Sequence, residues 1–350
     1  MRLEHKVITM QIDFTEITTM QDPCFNVLKG DPYQFLLSLT GPTIIDVCGR
    51  NTEQTHVIIT LINGDEPTGL LAIHRWLTER DLTEKPATNI RIIICSVEAA
   101  LCSPMLRMAH VYDAIPLTQC FGVEFNHGFF KRAKTIEHAI RSVNPCSVTS
   151  LHNTQGFSPA FACASSLNNQ AVSIAQSFVE TIILSDQMPD RLLTLSFDCP
   201  NVAIYLGCSE DPQSSEVAYN GIINLVNSEI VYAANSSANV LLYPKKLVLA
   251  PGSHLSFNDT DMGNEGLTLR EDIEQFNFRI VKAGQHLGWL DENGLSNITL
   301  IDHLNNVCTE QYFSTRFNQF ITATNLIIFM ASSSKQTSLS QDFLFYVIQN

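Results

Sequence analysis

The chain has 350 residues, among them ten cysteines, with 45% hydrophobic and 16% charged side chains and a formal net charge of -14. That length exceeds what one hydrophobic core usually organises, so two domains are expected. The acidic balance, with no run of basic residues, excludes the clustered Lys and Arg that binding a phosphate backbone needs, and no nucleic-acid partner is expected.

In chain order, Met1-Arg2-Leu3-Glu4-His5-Lys6 has no apolar h-region behind it, and no apolar run approaches the length of a membrane span. Neither a secretory leader nor a membrane partner is therefore expected. Segments 57–62, 91–95, 147–151, 192–197 and 202–206 are rich in Ile, Val and Thr and read as strands. Amphipathic stretches at 70–80, 135–143, 171–184 and 214–226 read as helices. In the last of these, Val217, Ala218, Ile222, Leu225 and Val226 share one face, and Asp211-Pro212 supplies a start signal. Strands alternating with helices predict an α/β domain over residues 1–230, a mixed sheet flanked by helices and largely buried.

The pattern changes near residue 230. Turn signals such as Tyr243-Pro244, Pro251-Gly252, Asn258-Asp259 and Asp291-Glu292-Asn293-Gly294 separate short runs at 240–243, 246–249, 298–301 and 326–330. Only 269–275 reads as helical. Residues 231–350 are expected to form a smaller, mostly β domain, packed closely on the first because no low-complexity linker joins them. The cysteines form no Cys-x-x-Cys pair, so a zinc ribbon or dithiol redox motif lacks support. Several lie in apolar runs, as Cys95 does after Ile92-Ile93-Ile94, which suits buried thiols in a reducing cytoplasm.

The most informative motif is Asn63-Gly64-Asp65-Glu66-Pro67-Thr68-Gly69, between the first strand and the first helix. It resembles the first zinc motif of the succinylglutamate desuccinylase and aspartoacylase family, His-Gly-Asn-Glu-Pro-x-Gly, whose His and Glu are zinc ligands. Ser150-Leu151-His152-Asn153-Thr154 resembles that family's Asp-Leu-His-Asn-Thr, which carries the third ligand. Further likeness lies in Val97-Glu98-Ala99-Ala100, in Gly156-Phe157-Ser158-Pro159, and in Ala283-Gly284-Gln285-His286-Leu287-Gly288-Trp289. The resemblance implies a zinc-carboxypeptidase-like fold and hydrolysis of the amide of an N-acylated amino acid. Zinc there polarises the carbonyl, a glutamate acts as general base and an arginine grips a substrate carboxylate.

The same alignment replaces each chemical role. Glu66 and His152 keep ligand positions, but the first ligand is Asn63. The carboxylate-binding arginine falls on Gln119, the general base on Tyr205, and the Asp of the second motif on Ser150. Two protein ligands fall short of the three usual at a catalytic zinc, and an amide oxygen is a poor third. Asn153 and Thr154 are the remaining candidates for substrate contact. Each position also has a plainer role: Glu66 favoured by a helix N-terminus, His152 hydrogen-bonded in a pocket wall, Asn63 in a turn, Tyr205 packing, Cys120 buried and inert. His127 or His56 could supply a missing ligand in space, and Glu210 a displaced base. The first expectation is a catalytically weak or silent relative that keeps its pocket for binding a small ligand such as an acylated amino acid, or for regulation. The others are an active hydrolase with a rebuilt metal site and a structural subunit with an empty pocket.

Overall fold

The computed structural model describes residues 13–28, 30–102, 106–109, 115–185, 187–228, 238–334 and 342–349. Its largest sheet has nine strands: β1 (Thr18–Gln21), β2 (Thr43–Val47), β3 (Asn51–Thr60), β4 (Thr88–Ile94), β5 (Ser147–Thr154), β6 (Phe161–Ala164), β7 (Thr181–Leu184), β8 (Asn201–Cys208) and β9 (Asn239–Leu242). They lie in the order β1-β2-β4-β3-β5-β8-β6-β7-β9. The central run β4-β3-β5-β8 is parallel, whereas β2 on β4 and β6 on β8 are antiparallel. The sheet is therefore mixed, as expected.

Central strands of such a sheet are covered on both faces, and β5 is buried at every position. Alternation along β3 sends Ile58 to one side and Val57 and Ile59 to the other. The Ile58 side is covered by α3 (Thr68–Glu79) and α7 (Pro212–Asn227), preceded in the chain by the short α1 (Phe25–Leu28) and α2 (Pro32–Ser38). α3 presents Leu70, Ile73, Trp76 and Leu77, and α7 presents Ala218, Ile222 and Leu225. The other side is covered by α5 (Gly128–Arg141) through Phe129, Ala133, Ile136 and Ile140. Between α3 and α5 lies the single turn α4 (Val97–Ala100), and α6 (Asn169–Gln176) precedes β7.

Beyond Lys245 two five-stranded sheets enclose a second core containing Leu247, Leu267, Phe313, Phe320 and Phe345. The change of pattern near residue 230 falls within 229–237, outside the described residues. The segment predicted at 240–243 is a strand, β9, and it pairs with β7 in the nine-stranded sheet.

Three predicted elements differ. Segment 192–197 is not a strand, because the Asp190 carboxylate accepts from Leu192 N at 3.0 Å and winds Arg191–Thr194 into a 3-10 turn. The helix predicted over 171–184 stops at Gln176, and its β-branched end, Thr181–Leu184, joins the sheet as β7. The predicted helix 269–275 is instead a strand at Leu267–Leu269 followed by a 3-10 turn at Ile273–Phe276.

Candidate functional site

The parallel strands β3, β5 and β8 end together, and an α/β sheet forms its crevices at such strand ends. The chain leaves β3 through Leu61, whose φ of 53° is left-handed, and Leu61 O accepts from Ser96 N at 2.7 Å. Gly64 then passes so close to neighbouring backbone that a Cβ would lie 2.3 Å from Arg107 O. This tight passage delivers Asn63 and Glu66 to the crevice. Asn153, at the end of β5, fixes their height. Its Oδ1 accepts from Thr68 N at 3.2 Å, and its Nδ2 donates to Thr68 Oγ1 at 2.8 Å and to Gly207 O at 2.9 Å. One amide thus ties the start of α3 to β5 and β8.

The structure brings Asn63, Glu66 and His152 together. Glu66 Oε2 accepts from His152 Nδ1 at 3.0 Å, and Glu66 Oε1 accepts from Asn63 Nδ2 at 3.0 Å. Asn63 Oδ1 in turn accepts from Thr118 Oγ1 at 3.1 Å. On its other side, His152 Nε2 lies 3.1 Å from both Asp190 Oδ2 and Ser150 Oγ. All of these side chains are buried. Burial opposes a charge on His152, but the Glu66 and Asp190 carboxylates outweigh it and raise the imidazole to about 10. Both ring nitrogens thus face carboxylate oxygens, an arrangement that favours the protonated imidazole. Asp65 is pushed up to about 7 by burial and by the Glu66 charge, against a bond from Gln155 Nε2 at 2.9 Å.

Asp190 was not a candidate from sequence. It lies 38 residues beyond His152, just ahead of a segment that reads as a strand, and no spacing rule links the two. The one available signal is its character as a turn-capping Asp. It brings from another element the carboxylate that the resemblance places at 150, where this chain has Ser150.

The network forms the floor of a cavity of about 520 Å³. Gln119, on the 3-10 turn Leu117–Gln119, lines it, as do Asn153 and Tyr205. Tyr205 pairs with His152 across β8 and β5, and its ring stacks on that imidazole at 5.1 Å and on Phe161 at 4.8 Å. Its hydroxyl makes no hydrogen bond among the described residues, and burial pushes it well above the ordinary phenol range. Thr154 turns away, donating to Gly156 O at 2.8 Å.

The other sequence candidates lie elsewhere. His56 sits midway along β3, before the end that leads to Asn63, its Nδ1 facing Ser147 Oγ. Glu210 is exposed beyond β8, Cys120 is buried, and His127 begins α5 with its ring against Phe125 and Phe130.

Among the described residues, no group of three or more His, Cys, Asp and Glu side chains is arranged to hold a metal ion. The donor set at the family positions gives the physical reason. Glu66 Oε2 is already paired with His152 Nδ1 and Glu66 Oε1 accepts from Asn63 Nδ2, so Asn63 turns its NH2, not its oxygen, toward Glu66. A zinc centre needs lone pairs converging on one point, and these groups do not fit it.

No family model matches the chain, and no curated protein matches it. Solved structures do match. A succinylglutamate desuccinylase from Vibrio parahaemolyticus superposes with a TM-score of 0.57 at 14% identity, over 92% of this chain and 96% of that one. A succinylglutamate desuccinylase/aspartoacylase from Rhodobacter sphaeroides gives 0.55 at 13% identity, over 87% of each chain. The ectoine utilization protein EutE from Ruegeria pomeroyi gives 0.52 at 15% identity, over 88% of each. At such identities the shared property is the fold, and this chain has the desuccinylase and aspartoacylase fold, zinc-carboxypeptidase-like with added β-sheets behind it.

Proposed function

We propose that this chain is a catalytically weak or silent relative of the N-acyl amino acid hydrolases, which binds a small acylated amino acid in its cavity without a resident zinc. One observation carries the reading: Glu66 accepts Asn63 Nδ2 on one oxygen and His152 Nδ1 on the other, each at 3.0 Å. The positions that would ligate a metal are thereby turned into a closed ion-pair network. Gln119 at the carboxylate position and Tyr205 at the base position support the same conclusion. Groups that act as a unit are strongly non-additive, so once one is lost the rest can drift at little cost to rate. A cavity of about 520 Å³ in which the Gln119 side chain and the Tyr205 hydroxyl are unengaged among the described residues argues against a purely structural role. The ten free cysteines suit a reducing compartment such as the cytoplasm.

The test is elemental analysis of protein purified without nickel resin, chelator or added zinc, paired with assays of N-acetylaspartate and N-succinylglutamate. Substoichiometric zinc and no turnover are expected. Zinc that survives dialysis at one equivalent, with turnover abolished by Glu66→Ala, would overturn the reading in favour of a rebuilt hydrolytic site.

A further inference from the structure

The charged side chains around the cavity point to the class of ligand. Glu66 and Asp190 both serve His152, and Lys246 Nζ pairs with Asp342 Oδ2 at 2.5 Å. Arg191 is different. Its Nε donates to Phe121 O at 3.1 Å, which pins the stem against the loop that follows Gln119. Among the described residues it is the charged side chain lining the cavity that has no ion-pair partner. A guanidinium held by its Nε still presents its two terminal nitrogens, the fork that grips a carboxylate bidentately.

The wall beside it is aromatic. Phe125 lines the cavity although it is 56% exposed, packed edge-on against Phe130 with centroids 5.0 Å apart. His127 touches both rings, at 5.8 Å and 5.3 Å, and Met188 and Met330 add further apolar lining. An exposed ring held by two neighbours is an apolar surface kept ready for contact.

We infer that the cavity takes a monocarboxylate with an aromatic or branched apolar arm, the carboxylate gripped by Arg191 and the arm laid on Phe125 and Phe130. This rests on the binding reading above and narrows it. One unpaired cation matches one carboxylate. A second carboxylate would find Gln119 in place of a cation and would face the carboxylate side chains of Glu66 and Asp190 on the floor, which selects against dianions.

Titration calorimetry tests this with N-acetylphenylalanine, its uncharged amide N-acetylphenylalaninamide, and N-acetylaspartate. The wild type is expected to prefer the aromatic acid over both others by roughly tenfold to a hundredfold, the worth of a charged hydrogen-bonded pair. Arg191→Gln should erase the preference for acid over amide. Phe125→Ala should weaken acid and amide alike, by about tenfold, as loss of apolar contact requires. Three results would overturn the inference: aspartate derivative bound as tightly as the phenylalanine derivative, acid preference intact in Arg191→Gln, or no binding of the aromatic acid. Release of free phenylalanine from bound probe is a separate outcome. It would sink the non-hydrolytic reading and leave the Arg191 assignment standing.

Discussion

The floor and the wall of the cavity follow opposite rules. On the floor, Thr118, Asn63, Glu66, His152, Ser150 and Asp190 form one connected set of hydrogen bonds, and each carboxylate oxygen has a partner. On the wall, Gln119, the terminal nitrogens of Arg191, Phe125 and the Tyr205 hydroxyl leave surface or donors unengaged among the described residues. Groups already satisfied by the protein hold the fold, and groups left unsatisfied are available to a ligand. The ligand positions Asn63, Glu66 and His152 are bonded to one another, while the other two motif positions, Gln119 and Tyr205, share the wall with Arg191 and Phe125, which no motif marks.

The largest test of that contrast is Glu66→Ala. It leaves both Asn63 Nδ2 and His152 Nδ1 buried without their acceptor, and at about 1–3 kcal/mol for each unsatisfied buried group the two together make the largest expected loss. Denaturant unfolding should show that loss, and an unchanged midpoint would place Glu66 with the wall. Asn63→Ala removes bonds to Glu66 and Thr118 and should cost about 1–3 kcal/mol in the same measurement, as unsatisfied buried groups do. Asn63→His exchanges one bonding side chain for another and should move stability less. It should raise zinc affinity, read by competition with a chromogenic chelator, because it restores a third nitrogen or oxygen donor. It should not give turnover, since burial keeps Tyr205 protonated and a phenol in that state is no base. Turnover in that single variant would assign catalysis to the floor. The smallest effect belongs to Gln119→Ala, within about 0.5 kcal/mol, as for other exposed substitutions without special contacts.

Much of this arrangement was legible in sequence. The order strand, Asn63–Glu66, helix, strand, His152 holds in the fold, and β3, β5, α3 and α7 form where periodicity put them. What sequence did not reveal had specific causes. β6 and β7 are only four residues long, too short for alternation to mark them, and the apolar run after α6 continued the helical pattern into β7. Asp190 reaches His152 only because the sheet brings the β7–β8 connection over the end of β5, a tertiary fact without local signature. The engagement of Glu66 was hidden for a related reason. A motif states which side chains converge, but not whether they converge on a metal or on one another.

The stack that begins at His152 and Tyr205 does not end at the cavity. Phe161 lies 4.9 Å from Phe278 and 5.9 Å from Phe329, and Phe329 stacks on Tyr346, whose hydroxyl donates to Gln187 O at 3.0 Å on the cavity rim. Rings more than a hundred positions apart in the chain must meet before that rim is fixed. Contacts of such span close late in folding, because the entropy of the intervening loops is lost before the contact forms. In refolding experiments the fluorescence of Trp76, within the α3 layer, should recover in an early phase. Competence to bind should return only with the slower phase that docks the C-terminal strands, so that a kinetic delay separates a folded sheet from a finished cavity.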